Sequence, residues 1–449
     1  MDENALFPDS DLDFSFTSCA SNTSTDRTFA SSSARSSSVS FTDRPHALPA
    51  AGTRHPHRRS DPRWSAVLAA TRISPDGTLR LRDLELVRHV GSGNLGRVYL
   101  CRLRDAPDGC SPSFALKVVD RDALTPKKLS HVQAEAHVLS TLDHPFLPTL
   151  YAHLEVSHYT CLLIDFCSGG DLHALLRRQP GNRLPVESVR FYAAEVLVAL
   201  EYLHAMGVVY RDLKPENVLL REDGHIMLSD FDLCFKADVD PTLLKTMDVG
   251  PTRSRYGCFG GSADVDVGIE FVAEPTKAFS KSCVGTHEYL APELVNGNGH
   301  GNGVDWWAFG VFVYELLYGR TPFKGGSKEA TLRNIASAKG VRFTADVAGE
   351  AGGELVAEAR DLIEQLLVRD PKRRLGCARG ATEVKRHPFF EGIKWPLIRC
   401  YPAPGVRRRS TRDAHVGGRR EGNKRWSWMR LGYFGKKGFM HGLKGRKLV

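Results

Sequence analysis

Three short runs alternate apolar and polar positions: Leu84-Glu-Leu-Val-Arg-His-Val90, Arg97-Val-Tyr-Leu-Cys-Arg-Leu103 and Phe114-Ala-Leu-Lys-Val-Val119. A period of two predicts β-strands, and the Gly- or Pro-containing stretches between them predict turns. The spacing then changes to three and four. Val132 to Leu142 reads as a helix, and after about Asp171 helical patterns dominate, at Val186 to Met206, Val304 to Leu317 and Ala357 to Leu367. The result is α+β: a strand-rich small lobe followed by a larger helical lobe.

The flanks read differently. Residues 1–63 are rich in Ser, Thr, Arg and Pro, a composition that buries too little apolar surface to offset the entropy of ordering, so disorder is expected there. Residues 64–83 read as an ordered lead-in, 84–390 as the folded domain, and 391–449 as a C-terminal extension and basic tail. Within the domain, 236–279 is rich in Gly, Asp and Pro and breaks the globular texture.

Composition adds little beyond class. With 449 residues, 42% hydrophobic and 25% charged, the chain resembles an ordinary globular protein. Its longest strongly apolar stretch, Trp306 to Tyr314, stops at Glu315, short of the ~18 residues a membrane span needs. The Met-Asp-Glu-Asn start lacks the basic and apolar regions of a signal peptide. Ten cysteines show no Cys-x-x-Cys pair, so reduced thiols in an intracellular protein are expected. The net charge of +9 is uneven: fourteen Lys/Arg stand against Asp413 and Glu421 from Tyr401 onward, leaving the rest of the chain at −3.

Four segments carry chemistry. Gly91-Ser-Gly-Asn-Leu-Gly-Arg-Val98 is a glycine-rich loop that continues into a strand, as a β-hairpin lid over phosphates would. Lys117 sits in an apolar run, where an unpaired ammonium costs several kcal/mol; the following helix offers Glu135 as a partner. The alternative is a lysine snorkelling from an edge strand. Val209-Tyr-Arg-Asp-Leu-Lys-Pro-Glu-Asn-Val-Leu-Leu220 places Asp212, Lys214 and Asn217 on one short loop. A base, a cation and a neutral oxygen donor are what phosphoryl transfer requires. Leu228-Ser-Asp-Phe-Asp232 adds a second carboxylate, Asp230, suited to bridging a hard cation and phosphates. Gly285-Thr-His-Glu-Tyr-Leu-Ala-Pro-Glu293 then closes the segment, and Arg374 is available to pair with Glu293.

Together these motifs resemble the eukaryotic protein kinases from about Leu84 to Phe390. Tyr-Arg-Asp at 210–212, Leu-Lys-Pro-Glu-Asn at 213–217 and Val304-Asp-Trp-Trp-Ala-Phe-Gly310 look like the AGC group. Asp-Phe-Asp at 230–232, with about forty inserted residues before Ser282-Cys-Val-Gly-Thr286, is similar to the plant AGC kinases acting on auxin transport, nearest the WAG branch beside PINOID. The resemblance implies a bilobal kinase fold, ATP and Mg²⁺ as cofactors, and transfer to Ser/Thr of proteins, with PIN-type auxin efflux carriers among the substrates. It implies Asp212 as base and Lys214 on the γ-phosphate, with Asn217 and Asp230 on the metal. Gly91, Ser92, Gly93, Asn94, Gly96 and Val98 would cover the nucleotide, and Lys117, held by Glu135, would take its α/β-phosphates. Ala115 and Leu219 would complete the pocket. Ile164 would be the gatekeeper, the backbone of Asp165 and Cys167 would meet adenine, and Asp171 the ribose. Leu139, Leu150, Tyr210 and Phe231 would stack as a spine, plain core packing being an equal account of each. Ser282 would be the activating phosphosite, paired with Arg211.

The pattern departs from the family in two places. Asp232 stands where a glycine is commoner, the one feature favouring a pseudokinase that works as a scaffold. The chain end lacks a Phe-x-x-Phe motif, which puts docking of an upstream activating kinase in doubt. Asp171, Glu216 and Glu315 match positions that ring the peptide groove in the resembled kinases, so the resemblance implies substrates with basic residues before the target hydroxyl. The tail, interleaving Trp426, Trp428, Tyr433, Phe434 and Phe439 with Lys and Arg, leaves open a solvated extension, an anionic-membrane anchor and nuclear import. The expectation is a monomer in the cytoplasm and peripherally at the plasma membrane, with nucleic acid not a partner.

Overall fold

The computed structural model describes residues 61–73, 77–93, 95–104, 112–239, 241–247, 267–337, 339–343 and 353–404. The Ser-rich N-terminus up to residue 60, Asn94, the centre of the insertion (248–266) and the basic tail from 405 lie outside the described residues.

Helix α1 (Pro62–Ile73) leads in. The small lobe is one antiparallel sheet of β1 (Leu84–Ser92), β2 (Arg97–Leu103), β3 (Phe114–Asp120), β4 (Leu150–Val156) and β5 (Tyr159–Asp165), in the order β1-β2-β3-β5-β4. Alternation buries Leu84, Cys101, Leu103, Phe114, Leu116, Cys161 and Leu163 on one face, where Trp64 and Val67 of α1 cover them. Between β3 and β4 runs α2 (Pro126–Thr141). It begins six residues before the apolar pattern, because Thr125 caps it by accepting from the Lys128 N–H at 3.4 Å and Pro126 fits its first turn.

The helical lobe follows: α3 (Leu172–Leu176), α4 (Val186–Ala205), α5 (Pro292–Val295), α6 (Gly303–Tyr318), α7 (Lys328–Ala336), α8 (Gly353–Leu366) and α9 (Ala381–Lys385). Helix α6 is apolar nearly all round, so it is buried nearly all round and forms the lobe's axis. Between α4 and α5 lie short paired strands, β6 (Val208–Val209) with β9 (Phe235–Lys236) and β7 (Val218–Leu220) with β8 (Ile226–Leu228). They pin both ends of the loops carrying Asp212 and Asp230.

The insertion is partly tied to the globule. Within the insertion, β10 (Thr242–Met247) pairs with β11 (Val267–Val272), Val272 is buried, and Glu274 and Ala278 are buried against the helical lobe. An average over a Gly- and Asp-rich stretch conceals an apolar residue and a carboxylate that find partners in the helical lobe.

Candidate active site

The glycine-rich loop is the turn between β1 and β2, closed by the Gly93 N–H donating to the Gly96 carbonyl at 2.9 Å. Its glycines are not equivalent. A Cβ at Gly91 or Gly93 would meet nothing within 4 Å, whereas one at Gly96 would lie 2.3 Å from the Val118 carbonyl oxygen. Gly96 lets the turn press onto β3; Gly91 and Gly93 leave open space for a ligand. Ser92 bonds the His89 ring at 3.0 Å, and Val98 pairs with both Gly91 and Lys117.

Lys117 lies on β3, between β2 and β5, so the edge-strand alternative fails. Its ammonium donates to both oxygens of Glu135 at 2.8 and 2.7 Å, and to Asp230 Oδ1 at 3.2 Å. Burial works against the charge, but the two carboxylates outweigh it and push the ammonium's pKa up. One lysine thus ties the sheet, α2 and the loop after β8 together.

The loop between β6 and β7 is a network around Asp212, itself buried. Lys214 Nζ donates to Asp212 Oδ2 at 2.7 Å, and Asn217 Nδ2 donates to the same oxygen and to the Asp212 carbonyl, both at 2.9 Å. Thr286 accepts from Lys214 Nζ at 2.9 Å and donates to Asp212 Oδ1 at 3.2 Å. Thr286, in the Gly285–Glu293 motif, has no role readable from sequence; the contact assigns it to the carboxylate's second oxygen. Arg211 and Asp230 have φ of +67° and +60°, a conformation costing about 1–3 kcal/mol each that persists only where the surroundings impose it.

Asp305 of α6 does part of the imposing. Its Oδ2 accepts from the Tyr210 N–H at 2.8 Å and its Oδ1 from the Arg211 N–H at 2.7 Å. A buried Asp in the apolar run Val304 to Phe312 was as visible a signal as Lys117. The ring of Tyr210 packs on Phe231 at 5.3 Å, and both lie in the main core with Leu139, while Leu150 packs partly buried against it.

At the back of the cleft, the Asp165 side chain turns away, accepting from the Thr149 N–H at 2.9 Å and the Tyr151 hydroxyl at 3.0 Å. Only its backbone is then available to a base. The Cys167 thiol lies 3.6 Å from Met227 Sδ, and burial pushes it up to about 12. Asp171 caps α3 through the Ala174 N–H at 2.7 Å and bridges to Leu219, while Ala115 is buried opposite Ile164.

Arg211 is held within the activation segment. Its guanidinium donates to the Leu233 carbonyl at 2.6 Å and Ser280 Oγ at 3.3 Å, and rests on the Phe235 ring. Ser282 meets Ser280 through its own N–H at 3.2 Å. Ser280 thus faces Arg211 directly, with Ser282 two residues further along the segment. Glu293 and Arg374 pair as expected, at 2.7 and 2.9 Å.

The donor set suits a hard divalent cation. Asn217 uses its amide nitrogen on Asp212, which leaves its side-chain oxygen as the atom to offer a cation, and the Asn217 carbonyl accepts the Ser229 N–H at 2.9 Å, bringing Asp230 alongside. The Asp230 side chain is 41% exposed. Among the described residues no cluster of three or more His, Cys, Asp or Glu could form a complete protein cage. One or two protein oxygens, with phosphates and water for the remainder, is the usual arrangement for Mg²⁺.

Residues 84–253 and 261–390 match the protein kinase domain family. The serine/threonine-protein kinase WAG1 of Arabidopsis thaliana is 61% identical over 432 residues, covering 91% of this chain and 88% of the relative. WAG2 of the same plant is 63% identical over 422 residues, covering 90% and 85%. The protein kinase PINOID 2 of Oryza sativa subsp. japonica is 46% identical over 461 residues, covering 90% and 93%.

Proposed function

This chain belongs to the protein kinase family and, within it, to the plant WAG/PINOID type of AGC kinase, and we propose that it phosphorylates PIN-type auxin efflux carriers and so regulates polar auxin transport. It is a serine/threonine protein kinase that uses ATP with a divalent metal. In the proposed reading that metal is Mg²⁺, bound by Asn217 and Asp230, and it supplies neutralisation of phosphate charge. Lys117 holds the nucleotide's α/β-phosphates in register with Glu135. Asp212 orients the substrate hydroxyl and accepts its proton, and Lys214, 2.7 Å from that carboxylate, steadies the phosphoryl group on its way across.

The observation carrying this reading is the meeting of Lys117, Glu135 and Asp230 beside a loop whose Asp212 has its oxygens oriented by three neighbours. A scaffold has no use for so constrained a carboxylate. Substrates carry basic residues before the target hydroxyl, read by Glu216, Glu315 and Asp171. The chain works as a monomer and reaches membrane substrates peripherally through its basic tail, and an upstream kinase or the chain itself phosphorylates Ser282. Among the described residues no helix is long and apolar enough to cross a membrane.

Radiolabelled ATP with Mg²⁺, offered an Arg-rich peptide and the cytosolic loop of a PIN carrier, tests the reading. Label should enter both, and Asp230→Asn should abolish it; label in neither, or equal label from the variant, overturns it. Deleting residues 405–449 should release the protein from anionic vesicles while leaving peptide phosphorylation unchanged. Retention of the truncated protein on vesicles removes the tail from the reading.

A further inference from the structure

The insertion's return arm ends in a carboxylate buried far from solvent. Glu274, 5% exposed, accepts from His204 Nδ1 at 2.7 Å and Asn302 Nδ2 at 2.8 Å through Oε2, and from the Ala381 N–H at 3.3 Å through Oε1. Gly380, at φ +64°, leaves room for it: a Cβ there would lie 2.0 Å from Glu274 Oε1. The receptor is thus assembled from α4, the start of α6 and the start of α9.

The contact does not stop at His204. The other ring nitrogen, Nε2, meets Asp305 Oδ2 at 2.9 Å, and that same carboxylate holds the Tyr210 and Arg211 N–H groups immediately before Asp212. Burial disfavours charge on His204, but Glu274 and Asp305 outweigh it and lift the imidazole to about 10, so it bridges two anions as a cation. From Glu274 the chain runs on to Thr286, which bonds Asp212 and Lys214 directly. The arm therefore reaches the start of the same catalytic loop by two routes, through Asp305 and through Thr286.

We propose that Glu274 is a positioning residue for phosphoryl transfer, clipping the insertion to the helical lobe and, through His204 and Asp305, setting the backbone that aims Asp212. An insertion that looks dispensable thereby becomes part of the catalytic framework, and whatever moves or modifies it acts on turnover. The geometry separates this from an ordinary buried ion pair: the path from Glu274 to the backbone of Arg211 consists of hydrogen bonds, each between 2.7 and 2.9 Å. This inference rests on the kinase reading.

Steady-state kinetics of full-length Glu274→Ala, His204→Gln and the double variant test it, counted per molecule able to bind a fluorescent ATP analogue so that misfolded protein is excluded. Glu274→Ala should lower kcat by roughly tenfold or more with KM for ATP within about twofold, because misaimed groups lose turnover and not ground-state binding. The double variant should lose no more than the worse single, since both cut one path. A kcat within about twofold of wild type, or losses that multiply, overturns the proposal. If Glu274→Ala leaves no nucleotide-binding fraction, Glu274→Gln, of the same shape but without the negative charge facing the imidazolium and with one accepting oxygen in place of two, is read by the same two criteria. A wild-type protein that transfers no phosphate indicts the kinase reading, whereas an active wild type with an equally active Glu274→Ala indicts only this inference.

Discussion

Two buried ion pairs in this chain share chemistry and differ in what surrounds them. Arg374 is closed: its guanidinium bonds both Glu293 oxygens and the carbonyls of Gly303, Val368 and Arg369, and lies over the Trp307 ring. Lys117 is open. Its partner Glu135 is 3% exposed, yet its third neighbour, Asp230, is 41% exposed at the cleft. A guanidinium with its donors matched is a bolt, since nothing remains for a ligand. An ammonium shared between a buried and an exposed carboxylate is a joint, able to exchange one anion for a phosphate while keeping the other. Burial alone does not separate structural from functional charge; completeness of the bonding does.

Breaking the contrast from the open side should give the largest effect. Asp212→Asn and Asp230→Asn should each lower kcat by about 10²–10⁴ with the thermal midpoint nearly unchanged, checked by peptide phosphorylation beside calorimetry. On the closed side the order reverses. Glu293→Ala leaves the Arg374 charge buried and should cost about 3–5 kcal/mol of stability, read by urea unfolding, while molecules still folded keep their rate.

Intermediate effects belong to the activation segment. Ser282→Ala should lower activity by about tenfold with little loss of stability, since phosphate there would create one to three charge-assisted bonds. Ser280→Ala tests the position that faces Arg211 instead, and phosphopeptide mass spectrometry of active enzyme decides between them. A smaller effect concerns pH. His204 is raised to about 10 in the folded chain and is ordinarily near 6.5 when unfolded. The folded state therefore binds the proton more tightly, and its stabilisation is full below about pH 6.5 and lost as pH rises through about 10. Thermal midpoints of wild type should decline across that window relative to His204→Gln. Smallest of all, Asp232→Gly should leave activity within about twofold, because glycine adopts any conformation Asp232 holds. Burial and then Asp230 push Asp232 up to about 7, and its Oδ1 has no hydrogen-bond partner.

The contrast was partly legible beforehand. A lysine inside Phe114 to Val119 announces itself, because a charge in an apolar run needs a partner, and Glu135 waited on the next helix. The first three strands lie within two residues of their predicted bounds for the same reason, since alternation marks the face that buries, whereas β4 and β5, which complete the sheet, were not anticipated. What escaped was charge whose partner lies in segments of unremarkable composition. Glu274 sits in a stretch of near-balanced charge where an acidic residue looks solvated, and His204 lies within the α4 pattern, where a histidine reads as a tolerated core residue. Neither local period nor composition reveals that the fold brings them to 2.7 Å.

Lys117→Arg, assayed for phosphate transfer per folded molecule, tests the distinction between bolt and joint most directly. Arginine keeps the positive charge and can still reach Glu135, so the fold should persist with a thermal midpoint close to wild type. Its planar fork does not reproduce a point charge shared among Glu135, Asp230 and phosphate, so turnover should fall by about a hundredfold or more. Turnover at the wild-type rate, or a loss matched by unfolding, would contradict the assignment of Lys117 to the chemistry and leave it a structural pair like Arg374.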